Sequence, residues 1–270
     1  MMKWIQGLCM AAALSASTHT FAGSQNSGEA RFEANQIAQF AKQVERYAAN
    51  QGAHVFVIGR VGRPLDDLPK GIEFTHVALA VYSELTTTDG EKKQGYAIHN
   101  LYQLNDDPGT SQLIIDYPTD FFWSVHDLKA AIAIPTRALQ QKLLDAFAQG
   151  VPAKVHNPRY SVVANPFNNQ KQNCTEHTLN VINAALYNTT DMAQLKVNTR
   201  AYFKPQTLNV SRFKLALGSL FNDGVDNSDH QGKVKTTTFT SIVRYLNNNQ
   251  LLAHNTVLTP DGPVDLKYPL

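Results

Sequence analysis

Two apolar segments, 74–82 and 95–102, stand on either side of an Asp89-Gly90 dipeptide. Asp-Gly is a strong hairpin turn signal, and both flanks are rich in β-branched and aromatic residues. The pair therefore predicts an antiparallel hairpin, and a buried hairpin obliges the remaining chain to supply the layers that cover it. Residues 54–58 and 128–134 read as further buried strands, the second stopped by Pro135. Helical spacing runs through 31–50, with Phe32, Ile37, Phe40, Ala41, Val44, Tyr47 and Ala48 on one face, and Gly52 ends it. Residues 137–149 repeat the pattern up to Gly150, and 174–187 repeat it through Leu179, Ile182 and Leu186. Two short helices are expected at 211–221 and 238–249, and the 151–173 loop has an extended piece at 160–163. The order predicts an α+β fold, a small antiparallel sheet with packed helices. The core domain spans 31–190, and 191–270 is a helical C-terminal extension packed on it.

The N-terminus has a basic Lys3, a short apolar run from Ile5 to Ala16 and a small residue, Ala22, before a polar stretch. That pattern reads as a signal peptide over 1–22, too short and too interrupted for a spanning helix. The expected product is an exported protein, periplasmic or secreted, with no transmembrane segment and a single copy as its working unit. Lys and Arg total 24 against 22 Asp and Glu, with no basic stripe, which argues against a nucleic-acid partner. No phosphate loop, HExxH, cysteine cluster or complete calcium loop is present, so neither a metal nor another cofactor is expected.

The chain has two cysteines, and Cys9 lies inside the leader. Exported proteins use cysteines mostly in pairs. The remaining thiol, Cys174, is an accident, an intermolecular or redox partner, or a nucleophile. Its setting, Gln172-Asn173-Cys174-Thr175-Glu176-His177, favours the last. Asn173 is a good N-cap, and Glu176 three positions later completes a capping-box pattern. Cys174 then occupies a first helical turn, where unpaired N–H groups and the helix dipole favour a thiolate and a developing oxyanion.

A thiol nucleophile needs a base. His177 follows on the same helix, where a structural role fits it better. His76 interrupts an otherwise apolar strand, which costs free energy unless the ring is hydrogen-bonded. A third residue must orient it. His99 and Asn100 lie in the returning strand, and only one can share the His76 face. Register decides which, and the preference falls on His99. Arg60 and Tyr160, with Asn173, are the candidates for holding substrate or oxyanion.

A histidine in Thr75-His76-Val77-Ala78-Leu79-Ala80, a polar residue in the next strand and a distant Asn173-Cys174 opening a helix form an ordered set. This order resembles the circularly permuted papain-like group of NlpC-type proteins, which includes lecithin:retinol acyltransferase-like proteins. The chain also resembles a bacterial exported family of unknown function. That second likeness rests on Gly59-Arg60-Val61-Gly62-Arg63 and on the segment from Pro158-Arg159-Tyr160 to Asn165-Pro166. The resemblance spans roughly residues 50–190. It implies a permuted papain-like core with Cys174 as nucleophile, His76 as base and His99 or Asn100 as third member. It further implies an exported thiol hydrolase or acyltransferase acting on an amide, ester or thioester of a small-molecule, peptide or acyl substrate. The sequence after Cys174 departs from the acyltransferase-like members, which argues against lipid acyl transfer. The alternative expectation is a non-catalytic envelope protein that keeps the fold for binding.

Overall fold

The computed structural model describes residues 29–69, 71–86, 89–208 and 226–265. The expected leader with Cys9 and the expected 211–221 helix lie outside them.

Among the described residues, the sheet has seven antiparallel strands in the order β4-β3-β2-β1-β5-β8-β9. They are β1 (Val55–Val61), β2 (His76–Thr86), β3 (Lys92–Gln103), β4 (Ser111–Asp116), β5 (Asp127–Pro135), β8 (Leu252–Thr259) and β9 (Gly262–Val264). A separate two-stranded ribbon joins β6 (Gln206–Leu208) to β7 (Val234–Thr236). Helices are α1 (Ala34–Asn50), α2 (Pro118–Phe121), α3 (Arg137–Ala148), α4 (Val151–Lys154), α5 (Cys174–Tyr187), α6 (Met192–Tyr202) and α7 (Phe239–Asn248).

Helices cover both faces of the sheet, which is why its central strand β1 is buried at every position. Val57, Leu79, Val81 and Ala133 point to one face and pack with Leu139 and Leu143 of α3, Leu179 and Ile182 of α5, and Ile242 and Leu246 of α7. Phe56, Ile58, Ala80 and Ile132 point to the other and meet Ile37, Phe40 and Val44 of α1 and Phe121 and Phe122 of α2. The period-2 alternation along the central strands thus feeds two cores, one on each face of the sheet. Among the described residues, no helix is long and apolar enough to cross a membrane.

The sheet is larger than the sequence pattern indicated, because β4, β8 and β9 were not anticipated. Nor is the C-terminal part a helical annex. Residues 191–270 contribute α6 and α7, and also β8, which pairs with β5 from Ala130↔Leu258 to Pro135↔Leu252. The 160–163 segment is not a strand; only Tyr160 bridges, to Gln172.

Candidate active site

Helix α5 begins at Cys174, as its cap residue dictates. Asn173 Oδ1 accepts from the Glu176 N–H at 2.8 Å, while its Nδ2 donates to Val162 O at 2.9 Å and Thr236 Oγ1 at 3.1 Å. Both amide hydrogens are committed to structure, so this side chain has no donor left for an oxyanion. The expected capping box is half made. Glu176 turns away from the cap and meets Lys196 Nζ of α6 at 2.5 Å. His177 is structural, its Nε2 donating to Pro152 O at 3.0 Å.

The strand end supplies the other half of the site. Arg60 of β1 and His76 of β2 are directly paired, and the β2–β3 register places Ala80 opposite Ile98 and Tyr82 opposite Tyr96. Even-numbered residues of the two strands therefore share one face, which puts Asn100 and Tyr102 beside His76. Asn100 Nδ2 donates to Ile98 O at 2.9 Å, which turns its Oδ1 toward the imidazole. His76 Nε2 lies 3.0 Å from that oxygen. An amide oxygen only accepts, so Nε2 carries the proton and Nδ1 keeps a lone pair. Tyr102 stacks on the ring, centroids 4.6 Å apart and planes 10° from parallel, and gives its hydroxyl to Asp116 Oδ2 at 2.6 Å. The preference for His99 is corrected. His99 faces the other core and packs on Phe147 at 4.5 Å between centroids.

Cys174 and His76 line the same cleft of about 200 Å³, with Arg60, Tyr102, Tyr160 and Thr237. The β2–β3 ladder starts at Leu79↔His99 and omits His76 to Ala78. The strands part there, and the N–H of Val77, the residue after His76, faces the Cys174 sulfur. Thr175 Oγ1 stands 3.7 Å from the same sulfur. His76 and Cys174 share this gap without a direct hydrogen bond to each other.

Both groups are neutral at rest. Burial, then the Arg60 cation, pushes His76 down to about 3, and the Asn100 bond only partly offsets this. Burial raises the Cys174 thiol, against the opposing pull of the Val77 N–H, Thr175 and Arg60. The helix start does not lower the thiol as the sequence suggested, because Cys174 is only 6 % exposed and desolvation outweighs the N-terminal field. Tyr160 lies close enough to the thiol to feel its charge, and its buried phenol stays protonated.

A family model described as an uncharacterized protein conserved in bacteria, DUF2145, matches residues 47–246. The chain belongs to that family. The stretch matched by DUF2145 holds Arg60, His76, Asn100, Tyr160 and Cys174, and it runs on into α7, so it includes Thr237, which also lines the cleft. No curated protein and no solved structure matches the chain.

Sequence reasoning missed Tyr102, Asp116 and Thr237. Tyr102 was within reach, since it stands two residues after Asn100 and so on the same face. Thr237 carried no local signal, and only the tertiary fold brings it to the cleft.

Proposed function

We propose that this protein is an exported thiol hydrolase or acyltransferase with a permuted papain-like core, acting through Cys174, His76 and Asn100. The observation that carries the reading is the imidazole tautomer. Asn100 occupies Nε2–H, so Nδ1 is the basic nitrogen in a cleft that also holds a thiol at a helix start.

In the reaction, the Cys174 sulfur bonds to the substrate carbonyl carbon as its proton passes to His76 Nδ1. The carbonyl π pair moves onto oxygen. That oxyanion is met by the free N–H groups of the first α5 turn and by the Tyr160 hydroxyl, which makes no hydrogen bond among the described residues. Collapse of the adduct expels an amine, alkoxide or thiolate, which takes the proton back from the imidazolium. Water or another acceptor then removes the acyl group by the same steps. Desolvation opposes each charge singly. Proton transfer within the pair creates two opposite charges side by side, so the neutral resting state is compatible with general-base attack.

The test is acylation by p-nitrophenyl acetate followed by mass spectrometry. A single acetyl group is expected on Cys174, absent in Cys174→Ala. It should form at least 100-fold more slowly in His76→Ala of unchanged thermal midpoint, the lower end for loss of a general base, about 10². Equal acylation of parent and His76→Ala would sink the reading. The thiol's burial favours the competing case, a binding protein with an inert cysteine, and that case expects no adduct at all.

A further inference from the structure

We propose that the cleft recognises a carboxylate through Arg60, so that the substrate is an acyl compound carrying a carboxylate close to the bond attacked. This rests on the acyl-transfer reading and names the substrate class for it.

Arg60 is 4 % exposed, yet forms no ion pair among the described residues. Among the described residues, its guanidinium makes one hydrogen bond, from a terminal nitrogen to Phe121 O. Its guanidinium carbon lies 5.6 Å from the Tyr102 ring centroid and 5.0 Å from that of Phe121. A guanidinium has five N–H donors in a planar fork. Burying that charge without an acid is costly, and such a group is a preformed receptor for a planar anion. Asp116 feels the Arg60 charge but forms no ion pair with it: its Oδ2 accepts from Tyr102, and its Oδ1 has no hydrogen-bond partner among the described residues. Among the described residues, no Asp or Glu lines the cleft, whereas a second arginine, Arg63, does. Arg60 is also close enough to Cys174 to act on the thiol electrostatically. Arg60 and Cys174 line the same cleft, so an anion held on Arg60 shares that space with the thiol, and the cleft's size suits a short carboxylate-bearing group.

Iodoacetate and iodoacetamide alkylate thiols by the same displacement and differ in a carboxylate against an amide. The iodoacetate/iodoacetamide rate ratio at Cys174, compared with that of glutathione at equal pH and salt, cancels the thiol's intrinsic reactivity. The expected ratio is about 10-fold or more above glutathione, with saturation in iodoacetate, as one charge-assisted contact supplies. Arg60→Gln should return it to the glutathione value, and Arg60→Lys should keep part of it. A parent ratio equal to that of glutathione overturns the proposal and leaves the nucleophile standing. If Cys174 reacts with neither reagent, the acyl-transfer reading fails, and the anion site is judged by thermal midpoint. A rise with millimolar N-acetylglycine that Arg60→Gln abolishes then supports it, and no rise overturns it.

Discussion

At the scale of single residues, the site turns on which neighbour holds the His76 ring. Asn100 does so with both ends of its amide, one on the imidazole and one on Ile98 O. Asn100→Ala removes the acceptor, frees the ring to change tautomer and leaves the base itself in place. Acylation of Cys174 should fall by about 10-fold or more, the usual cost of losing a group that orients another. Asn100→Asp should retain part of the rate, since it still accepts from Nε2–H. His99→Ala should leave the rate within about 2-fold, because that ring packs on Phe147 in the other core. A larger loss at His99 than at Asn100 would count against the tautomer argument. The residues proposed as nucleophile and base and both candidates for the third member were legible in the sequence, since each is a polar intruder in an apolar strand or a thiol behind a cap residue. The choice between the two candidates was not legible. A two-residue turn centred on Asp89-Gly90 would have put odd residues of one strand beside even residues of the other and brought His99 to the His76 face. The observed ladder closes at Thr86↔Lys92, which leaves five residues, 87–91, in the loop and reverses the parity.

At the scale of elements, α5 carries the proposed nucleophile and is buried from Cys174 to Ala185. Most of its polar groups are paired, although Glu176 Oε2 and Asn180 Nδ2 have no hydrogen-bond partner among the described residues. Glu176 meets Lys196, Asn183 donates to Thr199 Oγ1 at 3.1 Å, and Tyr245 donates to Asn183 Oδ1 at 2.9 Å. Leu179 and Ile182 foretold a helix, but the all-round burial depends on α6 and α7, whose packing no local pattern encodes. The element's weak point is its first turn. Asn173 ties the cap to Val162 in the preceding loop and to Thr236 in β7, so one side chain joins three segments that wall the cleft. Asn173→Ala should cost about 2–3 kcal/mol, combining a lost cap with two unpaired buried groups. Asn173→Asp preserves the cap and loses the two donations, so its loss should be smaller in urea unfolding. If both variants were as stable as the parent, the three-way tie would not hold the helix start.

At the scale of the whole molecule, the buried titratable groups set the acid response, and they oppose one another. Burial pushes His76 down to about 3 and His99 and His177 down to about 4. Each is neutral when folded and takes a proton when unfolded below about 6.5, so each contributes stability that is present above that pH and lost as the pH falls. Glu176, raised by burial to about 7, and Asp116, raised to about 6, hold protons in the fold that the unfolded chain has released. Their contribution is present below about pH 4 and is lost as the pH rises through 6 to 7. Between about pH 6 and 4.5, three protons favour unfolding and two favour folding. The excess of one gives a loss of about 1.4 kcal/mol per pH unit, far gentler than the histidines alone would impose. His99→Phe isolates the balance, because the new ring keeps the packing on Phe147 and removes one of the three histidines. Its urea-unfolding free energy should be nearly flat across that window, while the parent's falls by about 2 kcal/mol. A parent whose stability is already flat from pH 6 to 4.5, or a variant as steep as the parent, would show that His99 is not held neutral by its burial.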